Sequence, residues 1–252
     1  MKYLKTFEAK KVIKSSVFDQ SKQSVGQETD IKKICKKYDI TNYSINSDGS
    51  IDVDGNVDLD KLELFRLPLK FRNVTENFNC SGGYFNCFNN KLTTLEGSPQ
   101  TVGGGFYCND NQLTTLEGSP QSIGGDFDCC ENQLTTLEGG PQSVGGNFNC
   151  HDNQLTTLEG SPQSIGGDFD CRGNKLINFN GIPEDFEGSI YLSRNPVEEI
   201  YDLFDTIKCI KWLNEFDVIQ GDKVILDRLE EVYHQLGMEI PEKIELHNYE
   251  II

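Results

Sequence analysis

The chain has 252 residues and a mass of 28.4 kDa, with 36% hydrophobic and 25% charged side chains, enough for a buried core and too apolar for a disordered chain. Its 23 basic and 40 acidic side chains leave a net charge of −17, which excludes a basic grip on nucleic acid or on an anionic membrane over most of the surface. No run approaches the roughly eighteen apolar residues of a membrane span, and MKYLKTFEAKK lacks the apolar centre of a secretory signal, so a cytoplasmic chain is expected.

Residues 1–27 are rich in Lys, Ser and Gln without a steady period, and read as a mobile basic arm. Residues 1–50 hold 10 basic and 6 acidic side chains, so the acidity belongs to the rest of the chain. A cap is expected over 28–56. In ETDIKKICKKYD, Ile31, Ile34, Cys35 and Tyr38 recur at helical spacing over 28–39, behind Thr29 or Asp30 as N-cap. The alternating NYSINSDGSIDVDGNVDL then carries Asp48-Gly49 and Asp54-Gly55 as hairpin turns. SINSDGSID has the outline of a calcium loop, but Ser44 and Gly55 stand where it needs Asp and a bidentate Glu, so a plain turn is the better reading.

Residues 57–200 form a repeat array. NQLTTLEGSPQS occurs at 111–122 and 153–164, NQLTTLEGGPQS at 132–143 and NKLTTLEGSPQT at 90–101, a period of 21. Cys87, Cys108, Cys129, Cys150 and Cys171 keep that interval, as do Asn90, Asn111, Asn132, Asn153 and Asn174, and the Phe two residues before each Cys. The frame extends to Val57 and Leu59 at one end, and to Ile190, Leu192, Asn195 and Val197 at the other. Phe and Cys two apart on a strand point to one side, the interior. The Asn is expected to turn inward and pair with the backbone of adjacent coils. Gly-Ser-Pro and Gly-Gly are expected to turn the chain on the far side, in turns or 3₁₀ pieces, since 21 residues leave no room for a full helix there. Phe78-Asn79-Cys80 and Phe85-Asn86-Cys87 are too close for a normal coil, so 78–87 is expected to hold a hairpin or a break in the superhelix, or a deletion absorbed by rearrangement.

The unit F-x-C-x-x-N-x-L-T-T-L-E-G resembles the leucine-rich repeat signature, with Phe and Cys in the first two apolar slots. The closest class is the short bacterial one with 20–21-residue repeats. MKYLKTFE, DGSIDVDGNVDL, LPLKF and LTTLEGSP are also similar to leucine-rich proteins of tailed phages. The resemblance implies an α/β solenoid with one curved parallel sheet, a small α+β N-terminal cap and a helical C-terminal cap. It also implies that the strand face binds a partner.

Residues 201–252 read as the helical cap. Ile200, Leu203, Phe204, Ile207, Ile210 and Leu213 suit one helix over 198–215. Val224, Leu226, Leu229, Val232, Tyr233 and Leu236 suit another, ended by Gly237, with Trp212 packed against the pair.

No catalytic constellation emerges, so the chain is read as no enzyme, without metal or cofactor. The array Cys lack C-x₂-C spacing and occupy the apolar slot, which makes them reduced core thiols. Cys130 stands in an outward column and is expected to be the reactive one. His151 neighbours it one coil on, but no oxyanion hole accompanies the pair. His234 and His247 lie outside the array.

Copies differ mainly on the outward strand positions. Before the Phe stand Tyr84, Gly105, Asp126, Asn147 and Asp168, and between Phe and Cys stand Asn86, Tyr107, Asp128, Asn149 and Asp170. After the Cys come Phe88, Asn109, Cys130, His151 and Arg172, then Asn89, Asp110, Glu131, Asp152 and Gly173. The first three columns, Gly105 excepted, are the candidate face for a protein partner with basic and apolar features. Nucleic acid is not expected to bind directly. The competing reading is an acidic mimic of nucleic acid that occupies the cleft of a DNA-binding protein.

Overall fold

The computed structural model describes residues 25–252 apart from 61, 83–89, 184, 185, 187 and 205. The basic arm expected over 1–27 falls outside the described residues as far as 24. Helix α1 already runs over Val25–Lys37 and buries Ile31 and Cys35.

Strands β1 (Tyr43–Ile45) and β2 (Ile51–Val53) make the expected hairpin around Asp48-Gly49, where Asp48 accepts the Ser50 N–H at 3.1 Å. The second expected hairpin does not form. Asp54-Gly55 is the first corner of the solenoid, because β2 pairs in parallel with β4 (Phe71–Val74) while β3 (Val57–Asp58) pairs in parallel with β5 (Phe78–Asn79).

From there the chain winds as a β-solenoid with two parallel sheets. Thr101–Val102 (β6), Ser122–Ile123 (β8), Ser143–Val144 (β10) and Ser164–Ile165 (β12) continue the sheet of β1, β2 and β4. Phe106–Tyr107 (β7), Phe127–Asp128 (β9), Phe148–Asn149 (β11), Phe169–Asp170 (β13) and Ile190–Tyr191 (β14) continue that of β3 and β5. The far side, expected as turns or 3₁₀ pieces opposite a single curved sheet, carries a sheet of its own. The second sheet arises because any extended dipeptide repeated at a constant interval finds its copy one coil away, running the same way, about 4.8 Å distant. Ser points out and the β-branched Val or Ile points in, burying Val102, Ile123 and Val144.

The core is a set of columns. Phe78, Phe106, Phe127, Phe148 and Phe169 are fully buried, with ring centroids 5.2–5.8 Å apart from coil to coil. The Asn column turns inward as expected. Asn132 Nδ2 donates to the carbonyls of Cys129 (3.2 Å), Cys130 (3.1 Å) and Cys108 of the preceding coil (3.1 Å), while its Oδ1 accepts the Leu113 N–H at 2.9 Å. Asn111, Asn153, Asn174 and Asn195 repeat this pattern. At the Gly-Gly corner a Cβ on Gly124 would run into the carbonyl of Gly103, and one on Gly145 into that of Gly124. Side chains are excluded there by the closeness of the coils.

Among the described residues the coils stay stacked across 78–87. Phe78 pairs directly with Phe106 and Val74 with Val102, 28 residues on instead of 21. The slot assigned to Phe85 and Cys87 is therefore filled by Phe78 and Cys80. The expected hairpin falls on 83–89, outside the described residues.

At the C-terminal end, one helix over 198–215 is replaced by two, α2 (Glu198–Tyr201) and α3 (Lys208–Glu215). Ile200, Phe204, Cys209, Ile210 and Leu213 are all buried, a set that does not share one helical face, and the turn between the helices brings all of them inward. A hairpin of β15 (Ile219–Gln220) and β16 (Lys223–Val224) follows. Helix α4 (Leu226–Leu236) ends at left-handed Gly237 (φ 66°), and β17 (Glu250–Ile251) pairs with β16. Trp212 packs against Phe216, with ring centroids 5.6 Å apart.

Candidate binding face

The outward residues between Phe and Cys lie on strands too short to hold themselves, and their side chains tie down the chain that follows. Asn79, Asp128, Asn149 and Asp170 each accept, through Oδ1, the N–H two residues on, at 3.1, 3.1, 3.3 and 3.2 Å. This is the Asx-turn, and Asp and Asn serve it equally.

The residues before the Phe make a second ladder. Asn77 accepts the Gly105 N–H (2.7 Å), Asp126 that of Asn147 (2.7 Å), Asn147 that of Asp168 (2.8 Å) and Asp168 that of Ser189 (3.1 Å). Six of the predicted face residues, Asp126, Asp128, Asn147, Asn149, Asp168 and Asp170, thus have work within the fold. Their alternation between Asp and Asn preserves one oxygen.

One coil departs from both ladders together. Gly105 offers no side-chain oxygen, and Tyr107 cannot form the Asx-turn. The two changes fit each other, because a Cβ on Gly105 would collide with the Tyr107 hydroxyl and ring. Tyr107 is half-buried, and burial pushes its phenol up, helped by Asp126 and Asp128. Four coils on, the column ends in Tyr191, 43% exposed, with the Arg172 guanidinium 5.7 Å from its ring centre. Sequence reasoning passed over Tyr191, although its neighbours Ile190 and Leu192 had been placed in frame.

The column after the Cys is chemically mixed. Asn109 and His151 are half-buried and Arg172 is exposed. Cys130 is only 3% exposed, which corrects its assignment as the accessible thiol. It is the short member of its column, flanked one coil away on either side by the longer Asn109 and His151. Burial raises its thiol far above the usual range, with Asp128 adding to the rise, the reverse of what a nucleophile needs. Burial also pushes Asp128 up, against its bond from the Cys130 N–H. Burial opposes ionisation of Asp170 as well, but the Arg172 guanidinium, at 2.6 and 2.9 Å, outweighs it and holds this carboxyl below its ordinary value.

Beyond that column the chain bends in the left-handed region at Asp110 (φ 56°), Glu131 (50°) and Asp152 (52°). Asp152 is shared by His151 Nδ1 (2.9 Å) and Arg194 (3.0 Å). Among the described residues no cation pairs with Asp110. Burial and the neighbouring Glu131 push its carboxyl up to about 6. Tyr84, Asn86 and Phe88, assigned to the same face, fall outside the described residues.

Among the described residues no three His, Cys, Asp or Glu side chains are grouped to hold a metal ion, and the eight described cysteines are free and buried. No helix of the described residues is long and apolar enough to cross a membrane. Compared with protein-family models, curated proteins and solved structures, the chain matches none.

Proposed function

We propose that this is a non-enzymatic recognition protein of the leucine-rich-repeat type, phage-encoded and acting on a host factor, whose Phe-side strand face captures a protein. The observation that carries the reading is the paired departure at Gly105 and Tyr107. The fold asks for an oxygen at both positions, and this coil gives up both to set an aromatic ring on the surface. Tyr107 and Tyr191 then bracket Asp128, Asn149 and Asp170 over four coil spacings, about 19 Å. Aromatic anchors around acidic and amide groups suit a partner segment carrying basic and apolar side chains.

The test is capture from host extract by the full chain, with mass-spectrometric identification. Tyr107→Ala with Tyr191→Ala should abolish capture of the identified partner while the melting temperature stays within about 2 °C. Thr115→Ala with Glu138→Gln, on the opposite side, should capture normally. Release of the partner by excess duplex DNA would instead favour the nucleic-acid mimic, for which the exposed Glu96, Glu117, Glu138 and Glu159 form an acidic row.

A further inference from the structure

The end of the chain is tethered to the body of the protein through a stretch that nothing holds. Helix α4 closes at Gly237, where the Met238 N–H donates to the Tyr233 carbonyl at 2.9 Å. Glu239, Ile240, Pro241, Glu242 and Lys243 follow, and all five are exposed. Among the described residues these five make no hydrogen bond to any other element, and Lys243 pairs with Glu245 two residues on. Pro241 has no N–H to offer and disfavours a helical Ile240, so nothing local folds this linker. Beyond it the chain is anchored again: Ile244 and Leu246 are half-buried and Tyr249 is 7% exposed.

What receives this tail is a groove built by three distant parts of the chain. Glu199, on α2, gives up both carboxylate oxygens to it: Oε2 accepts the His247 N–H at 2.8 Å and Oε1 that of Asn248 at 2.6 Å. The Tyr249 hydroxyl donates to the Ile177 carbonyl of the last coil at 2.8 Å. Strand β16 supplies an edge. The Glu250 N–H donates to the Asp222 carbonyl (2.8 Å) and the Ile252 N–H to that of Val224 (2.9 Å), while the Ile252 carbonyl accepts the Leu226 N–H (2.9 Å). The last coil departs from its predecessors where the tail meets it: Thr114, Thr135 and Thr156 are exposed, and the next residue of their column is the half-buried Ile177.

An extended segment that adds main-chain bonds to a strand edge and sinks one side chain beside it is a general mode of peptide recognition. Here the peptide is the chain's own end. We propose that the groove between Glu199, Ile177 and the edge of β16 is a peptide-binding site whose tethered occupant is the C-terminal tail. The external ligand it fits is an extended segment of a partner protein with the tail's chemistry: two free N–H groups for Glu199, then a tyrosine, then β-branched residues along β16. A short tether presents the tail at an effective concentration on the order of millimolar, so such a segment enters when the tether or the anchor is weakened. The site shares no residue with the strand face.

The probe is a fluorescent peptide of residues 244–252, titrated against the full-length chain and read by anisotropy. About twenty Gly and Ser residues inserted after Pro241 leave groove and tail intact and dilute the tethered competitor, so the peptide should bind this chain about fivefold more tightly than the wild type. Tyr249→Ala weakens the tail itself and should raise the peptide's affinity at least about tenfold. A peptide carrying Tyr249→Ala should bind the lengthened chain about tenfold more weakly than the native-sequence peptide. Glu199→Gln in the lengthened chain should weaken the native-sequence peptide by about as much. Equal binding by the wild-type and lengthened chains, or equal binding of the two peptides, would overturn the proposal and make the tail a fixed part of the cap. If Tyr249→Ala does not fold, the lengthened chain, whose groove and tail are unchanged, decides alone.

Discussion

Asp126, Asn147 and Asp168 on the strand side and Glu117, Glu138 and Glu159 on the turn side belong to the same coils. The first set changes identity from copy to copy, yet each side chain hands its oxygen to the backbone one coil on. The second set never changes, yet it is exposed. Residue identity and freedom are therefore separate quantities in this array. Much of the strand-face variation is an exchange of Asp for Asn within a fixed bond. Part of the turn-side constancy has a physical cause: Pro99, Pro120, Pro141 and Pro162 are buried, Gly118, Gly139 and Gly160 have φ of 81–90°, and Thr136 Oγ1 accepts the Glu138 N–H at 3.1 Å. What remains distinctive on the strand face is narrower than letter counts suggest, and it centres on Tyr107, His151, Arg172 and Tyr191.

Substitutions can break this contrast. Asn132→Ala orphans one buried N–H and three carbonyl contacts and should cost about 3 kcal/mol. Glu138→Gln on the turn side should change stability by less than about 0.5 kcal/mol. Urea midpoints measure both, and equal losses would erase the distinction. Cys129→Ser, which puts a hydroxyl in a fully buried apolar slot, should cost about 1–3 kcal/mol. Native alkylation should spare both Cys129 and Cys130. Asp128→Ala should cost about 1 kcal/mol by losing the Asx-turn, whereas Asp128→Asn should be nearly neutral because Asn149 already does the same work. If both cost the same, the charge matters and the oxygen alone does not.

The smallest effect is a pH dependence. The folded Asp110 carboxyl is pushed up to about 6 from its ordinary 3.8, so the folded state binds that proton more tightly than the unfolded chain does. Its contribution is complete below about pH 4 and is lost as pH rises through about 6. Melting curves across pH 4–7 should show this decline, and Glu131→Gln should flatten it.

The period, the inward Phe and Cys, the Asn ladder and the ends of the frame at Val57 and Asn195 were legible because identical residues at a fixed interval must occupy identical places. The second sheet was harder to see. Ser-Val is only a dipeptide, with no strand pattern of its own until its copies are laid side by side. Asp54-Gly55 looked like a hairpin because a solenoid corner uses the same turn chemistry. The burial of Cys130 depended on the length of its column neighbours, and the Asx role of the outward Asp and Asn depended on backbone geometry that no spacing records. Gly105 and Tyr107 were both noted as variants, but their dependence on each other required the ring to be seen above the glycine.

The Asn ladder also gives the array a direction. Each Asn accepts from a Leu N–H and donates to a Cys carbonyl of the coil before it, so a coil is completed only when its successor arrives. During synthesis the newest coil always waits, its groups open, for the next Asn to emerge. Asn195 does this for the coil of Cys171 and Leu176 immediately before the closing helices. A chain stopped between Leu176 and Asn195 would carry a permanently unfinished end, and loss of structure should start there and travel backward coil by coil.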